Sequence, residues 1–201
     1  VLEQAKGRPE ENVVNSVTLR SMQKAFYSTS CDGHFGLSLK YYCHFTSPIR
    51  RYPDLMIHRI IKAWLRGSDA VKLTKHFKKR AQEAADLSSA AERQAIDVER
   101  QVEKLKKAEY MSGYIDRVFD GIISGATGFG IYVQLENTVE GLVRIETLKD
   151  DYYDHIKEKY AIMGRRTGKT YKLGDKVTII VESVDVERRE INFLLADRRQ
   201  G

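Results

Sequence analysis

His44-Phe45-Thr46-Ser47-Pro48-Ile49-Arg50-Arg51-Tyr52-Pro53-Asp54-Leu55-Met56-Ile57-His58-Arg59 sets two arginines between two prolines. Proline fixes its own φ and pushes the preceding residue to extended geometry. Ser47 and Tyr52 are therefore expected to be extended, with Ile49 to Arg51 held in a short stiff turn. Two forked guanidiniums on such a turn suit paired phosphate oxygens. The plainer reading is a surface pair bridged to helix acids. Pro53 opens a helix with Asp54 in its first turn. The helix is expected from Pro53 to Arg66, with Ile57, Ile60, Ile61, Trp64 and Leu65 as its buried stripe and Gly67 ending it.

Outward from this stretch, residues 1–15 read as a polar connecting segment and Ser16–Ser28 as a helix with Leu19, Met22 and Phe26 on one face. Residues 29–36 are turn-rich, and Leu37–Tyr42 reads as a short strand. From Asp69 to Ser112 there is neither Pro nor Gly, which marks helix. A break is expected near Asp86–Ser89, because Ser89-Ala90-Ala91-Glu92 has capping-box spacing. Ala91, Ala95, Val98, Val102 and Leu105 then form a narrow seam suited to packing against a neighbouring helix. Glu92 and Glu99 share one side of this helix, either as a solvated face or as groups holding Arg50 or a ribose hydroxyl.

Leu19-Arg20-Ser21-Met22, Tyr27-Ser28, Gly33-His34-Phe35-Gly36-Leu37 and the long run His44 to Leu55 resemble the C-terminal part of the catalytic (RNB) domain of the RNase R / RNase II exoribonucleases. The resemblance covers roughly residues 16–112, and the remainder of the chain is similar to the next domain of that family. It implies processive 3'-to-5' hydrolysis of single-stranded RNA to nucleoside monophosphates, with Mg2+ held by an aspartate cluster. Arg50 is then the phosphate-orienting group, Arg51 a second RNA contact, and Glu99 the closer match to the family's functional glutamate.

Past Ser112-Gly113 the pattern changes to alternation. Strands are expected near Val118–Ser124, Gly130–Leu135, Val139–Ile145, Lys176–Ser183 and Glu190–Leu195, with a helical turn or two in the Glu146–Asp175 connection. The fold class is α+β: a mainly helical piece of the RNB domain at 1–112, then a five-stranded antiparallel OB-fold barrel at 113–201. In Gly128-Phe129-Gly130-Ile131-Tyr132-Val133, alternation points Ile131 and Val133 inward and Tyr132 outward. The two glycines permit a bend that brings Phe129 outward too. Two exposed rings make a stacking platform for bases, although an aromatic in a strand is more often core. The region is similar to the ribosomal S-one type RNA-binding domain. That resemblance places the RNA face at Phe129, Tyr132, Arg144, Asp185 and Arg189, with Arg144 where the family usually carries histidine.

The net charge is +6, and its distribution is uneven: residues 1–112 carry +7 and residues 113–201 carry −1. The first part suits a polyanion; the second must bind RNA, if it does, through a local patch. Gly164-Arg165-Arg166-Thr167-Gly168-Lys169-Thr170 has three residues between its glycines where a phosphate loop needs four, which argues against ATP or GTP. It reads as a basic loop that touches RNA phosphate. Asp150-Asp151-Tyr152-Tyr153-Asp154 reads as solvated acid, not a metal site. Cys31 and Cys43 are too few for a disulfide scaffold. The chain starts at Val1 and reads as a piece of a longer protein, so any upstream targeting segment is out of view. No apolar run reaches membrane-spanning length. Residues 1–60 lack an aspartate cluster, since Asp32 and Asp54 are isolated. Magnesium ligands are thus expected only in the full-length enzyme, and this piece alone is expected to be inactive. The expected partner is single-stranded RNA, with no membrane contact. The expected setting is a cytoplasmic monomer, with association to ribosomes or RNA-decay machinery open. The alternative is a non-catalytic RNA-binding module or regulator on the same fold.

Overall fold

A computed structural model of the chain describes residues 7, 15, 18, 19 and 21–196. The chain divides into two compact units, Gln23–Arg100 and a second made of Val1–Met22 with Gln101–Gly201. Helices α1 (Tyr52–Leu65) and α2 (Ala70–Met111) precede strands β1 (Val118–Thr127), β2 (Gly130–Leu135), β3 (Glu140–Arg144), β4 (Tyr153–Ile156), β5 (Ala161–Gly164), β6 (Thr170–Lys172), β7 (Lys176–Asp185) and β8 (Glu190–Leu195). Among the described residues no helix is long and apolar enough to cross a membrane.

Helix α1 starts one residue earlier than expected, at Tyr52, so Arg51 is the extended residue before it (φ −125°, ψ 111°). Pro53 lies in the first turn and Asp54 follows it. Gly67, at φ 90°, closes the other end by donating to Trp64 O at 2.9 Å. The buried residues of α1 differ from the expected stripe: Asp54 and Met56 are buried, Ile57 and Ile60 are half-buried, and Ile61, Trp64 and Leu65 are exposed. The helix is anchored through its first turns, where Asp54 is tied to the preceding turn, and no described element of Gln23–Arg100 covers its far end.

Helix α2 runs unbroken for 42 residues, so the break near Asp86–Ser89 is absent. Ser89 is not a cap. Its hydroxyl donates to Ala85 O one turn back (2.8 Å) and accepts from Tyr27 N (2.9 Å), which keeps it inside the helix. Ala91, Ala95, Val98 and Val102 are exposed and Leu105 is half-buried, so the seam is not packed. The expected Ser16–Ser28 helix reaches only Ser21; residues 23–28 have no regular structure, and residues 16, 17 and 20 lie outside the described residues. Leu37–Tyr42 is not a strand. A 3-10 turn at Phe35–Leu37 and a single bridge, His34 to Leu39, take its place.

In the second unit, β1, β2, β3, β8 and β7 close into a barrel in that order. Four pairings are antiparallel, but β3 and β8 run parallel, with Leu142 opposite Asn192. Strand parity requires this, because an odd number of strands cannot close with every neighbour reversed. The five strands fall where alternation puts them, extended by two or three residues in β1 and β7. The Glu146–Asp175 connection carries 3-10 turns at Ile145–Thr147 and Lys157–Lys159, and also a three-stranded sheet β4-β5-β6 that alternation does not reveal.

Ile123, Ile131, Val133, Val143, Ile179, Val181 and Phe193 are fully enclosed, each contributing about 1.5–3 kcal/mol by burial. Phe193 presses over Gly141, where an added Cβ would come within 2.5 Å of its ring. Ala108 and Met111 of α2 belong to the same core. Lys107 Nζ donates to Thr138 O at 2.9 Å and Arg189 to Gln101 Oε1 at 2.6 Å. The last three turns of α2 are thereby part of the barrel unit.

Candidate nucleic-acid interface

In Gln23–Arg100 the arginine turn is built on one carboxylate. Arg50 N and Arg51 N both reach back to Ser47 O, at 3.3 and 3.0 Å. Asp54 Oδ2 accepts from Ser47 N at 2.8 Å and from the Arg51 guanidinium at 2.9 Å, closing the turn from both sides. Burial works to raise the Asp54 carboxyl, but the Ser47 amide and Arg51 outweigh it and hold it below the ordinary range. Arg51, expected on RNA, is thus committed to Asp54. Arg50 is exposed at the turn's tip beside fully exposed Ile49. The labour is divided: Arg51 and Asp54 shape the turn and Arg50 faces outward.

The same unit holds a polar-aromatic cavity of about 370 Å³, lined by residues including Tyr27, Tyr42, His34, His44 and Glu92. The Tyr27 hydroxyl lies 3.0 Å from His44 Nδ1, and edge-on ring contacts run Tyr27–His44–Tyr42–His34. Burial, then the nearby Glu92 carboxylate, push the Tyr27 hydroxyl up. Glu92 and Asp97, not Glu99, are the helix acids brought to this cavity; Glu99 is exposed on α2. Sequence reasoning missed the tyrosines and histidines as a group, although their place in the matched motifs was a usable signal.

On the barrel, Phe129 is 78% exposed at the tip of the β1–β2 hairpin. Gly130 makes this possible: at φ +146° its Cα lies against β3, and a Cβ would stand 2.0 Å from Val143 O. Tyr132 is half-buried between fully buried Ile131 and Val133, so it points outward as alternation predicts. Arg144 pairs in register with Gly130 and makes an ion pair of 3.8 Å with Glu190; both side chains are about half exposed. Asp185 accepts from Arg188 N at 2.9 Å and shapes the β7–β8 turn. Arg189, at φ 61°, turns its guanidinium to Gln101. Tyr132 and Arg144 therefore share the outer face of the β2–β3 pair, and Phe129 stands exposed at the hairpin end. Asp185 and Arg189 serve the turn, and Arg189 is engaged with α2.

The 164–170 loop and the 150–154 acids, which look unrelated in sequence, interlock. Asp151 accepts from the amides of Tyr152, Arg166 and Thr167 and from the Thr167 hydroxyl. The Thr167 amide and hydroxyl lead in holding its carboxyl at about 2. Asp150 takes Lys169 Nζ at 2.9 Å, and Asp154 takes both Arg165 Nε and Nη2. The loop expected to touch RNA phosphate spends Arg165 and Lys169 on its own acids. Among the described residues no group of three His, Cys, Asp or Glu could hold a metal ion, so these residues do not fit magnesium.

An RNB domain matches residues 1–67 and an S1 RNA binding domain matches residues 114–195. The chain is 45% identical over 192 residues to Ribonuclease R 1 of Lactococcus lactis, covering 96% of this chain and 24% of that protein. It is 40% identical over 205 residues to Ribonuclease R of Escherichia coli, covering 97% and 25%. The chain thus spans about a quarter of the length of these curated relatives. The apo form of Mycoplasma genitalium RNase R superposes with a TM-score of 0.87 at 33% identity, over 97% of this chain and 31% of that one. The same protein in complex with ribose methylated single-stranded RNA gives 0.86 at 32%, with the same coverage.

Proposed function

This chain belongs to the RNB family and ends in an S1 RNA binding domain, and on that premise we propose that it is the RNA-handling end of a 3'-to-5' exoribonuclease acting on single-stranded RNA. Arg50 orients a phosphate and stabilises the charge that develops on it as the chain is cut. Arg51 and Asp54 are positioning residues that hold its turn. Phe129 and Tyr132 stack unpaired bases, and Arg144 neutralises a neighbouring phosphate once it leaves Glu190. An exposed ion pair is worth so little that a phosphate displaces it readily. Two features carry this reading: an outward Arg50 on a turn locked by a buried carboxylate, and an outward aromatic pair on the barrel. Magnesium would be held by residues of the longer protein.

Fluorescence anisotropy of the 201-residue chain with a labelled single-stranded RNA, at low and moderate salt, tests the barrel part. Salt-sensitive binding, weakened by about 1–3 kcal/mol or more in Phe129→Ala with Tyr132→Ala, is the expected result. Unchanged binding in the double variant would remove the stacking face. The same chain with magnesium is expected to leave the RNA intact. In the longer enzyme, Arg50→Ala is expected to lower kcat about 10²–10³-fold with little change in RNA affinity. An equal loss in affinity would make Arg50 an ordinary binding group.

A further inference from the structure

The strand register lines up an outer row that family resemblance does not single out. Gly125 lies opposite Tyr132, Tyr132 opposite Leu142, Leu142 opposite Asn192, and Asn192 opposite Ser183. Each strand neighbour of Tyr132 and Asn192 is buried: Ile131 and Val133 on β2, Ile191 and Phe193 on β8. Alternation therefore turns the whole row outward. Among the described residues, only the Tyr132 side chain comes within 4 Å of where a Gly125 Cβ would stand. The row thus reads ring, aliphatic floor, amide. Two strand spacings, about 10 Å, separate the ring from the amide, which leaves room for one base between.

Asn192 is held rather than free. Its Nδ2 donates to Ser183 Oγ at 3.1 Å, which fixes the amide plane, and its Oδ1 has no hydrogen-bond partner among the described residues. The group offered to a ligand is therefore chiefly an acceptor, pre-oriented beside a stacking surface. Adenine and cytosine carry an exocyclic amino donor on the edge that meets it; uracil's one donor on that edge, a ring N–H, sits between two carbonyls that an amide oxygen repels.

We propose that Asn192, oriented by Ser183, reads the edge of a base seated over Tyr132 and Leu142, and that it favours adenine and cytosine over uracil. This rests on the stacking face proposed above and adds a specificity-determining residue to it. Arg144 and Glu190 lie on either side of the row in the register and meet in an ion pair of 3.8 Å, so a phosphate on the Arg144 side has a cation within reach once that pair opens.

The test uses the 201-residue chain and three labelled oligonucleotides of A, C and U, read by anisotropy at one salt concentration. A single well-placed hydrogen bond predicts that A and C bind about three- to tenfold tighter than U. In Asn192→Ala the three affinities converge. In Ser183→Ala, which keeps the amide but frees its orientation, the preference shrinks about two- to threefold. Circular dichroism confirms that each variant is folded. Equal affinities in the unaltered chain, or a preference that survives Asn192→Ala, overturn the proposal while leaving the stacking face standing if Phe129→Ala with Tyr132→Ala still weakens all three. Loss of no affinity in that double variant overturns both.

Discussion

The two units bury opposite kinds of residue. In the barrel unit the enclosed side chains are large and apolar, from Phe193 and Met111 to Ile131 and Ile179. In Gln23–Arg100 the buried residues are Asp54, Met56, Ala84 and Ala85, while Trp64 and Leu65 stand 63% and 72% exposed. One unit is organised by a closed hydrophobic core; the other is organised around one carboxylate and a set of polar-aromatic contacts. A side chain's size is thus a poor guide to its importance here. Position in a closed packing shell decides it in the barrel, and position in the Ser47–Arg51–Asp54 knot decides it in the arginine turn.

The contrast breaks most directly by truncating one large residue in each unit. Phe193→Ala should cost about 3–5 kcal/mol, since it empties the space over Gly141 at the centre of the barrel. Trp64→Ala should cost under about 1 kcal/mol despite removing a larger side chain, because it gives up little buried surface. Urea unfolding followed by near-ultraviolet dichroism measures both. Similar losses for the two would mean that Trp64 is covered in solution.

Asp54→Asn probes the other organising principle. Removing one partner of a buried ion pair costs about 3 kcal/mol, because the Arg51 guanidinium keeps its burial and loses its charge partner. The sign with pH comes from the lowered carboxyl: its contribution is present in full above the unfolded value of 3.8 and is lost as pH falls through the lower folded value. Amide exchange at Ser47 and Arg51 should therefore stay slow at about pH 5 and quicken below 3.8, and in Asp54→Asn it should be fast throughout. Exchange that ignores the substitution would detach Asp54 from the turn.

Met111→Ala sharpens where one unit stops. Met111 is fully enclosed with barrel residues, so truncation should cost about 2–5 kcal/mol of barrel stability. A barrel fragment begun at Gly113 should be less stable than one begun at Gln101, which keeps Ala108, Met111 and the Gln101–Arg189 and Lys107–Thr138 bonds. Equal midpoints would return these turns of α2 to the other unit.

What was legible in the sequence tracks the same contrast. The five barrel strands declare themselves because Ile131, Val133 and Leu135 alternate against a core contained within the unit. The α1 stripe misleads because periodicity records which face is apolar, not whether anything within the unit covers it. Ser89 misleads because a capping-box spacing costs a helix nothing when the hydroxyl can bond back to Ala85. The outward placement of Phe129, Tyr132 and Arg50 could be read from motif and alternation. Arg51's commitment to Asp54, and Arg189's to Gln101, could not, since each depends on a partner fixed only by the fold. The Asn192 row was hidden because it is a relation between strands: register, not sequence spacing, puts residues 132, 142 and 192 side by side.

The smallest effect lies in β4-β5-β6, whose strands of three and four residues give alternation too little length to show. Two polar stretches far apart in character hold it together, with Asp151 gathering the amides of Arg166 and Thr167. Because the Thr167 contacts keep that carboxyl at about 2 when folded, its contribution is present above the unfolded value of 3.8 and disappears as pH falls through about 2. The sheet should therefore hold its amide protection at about pH 4 and lose it near about pH 2, ahead of any change in the barrel strands. Asp151→Asn should weaken protection at Arg166 and Thr167 already at neutral pH and abolish the acid transition. If the loop stays protected in that variant, the apolar contacts of Ile162 and Tyr153 with the barrel core, rather than the acid clasp, define this sheet.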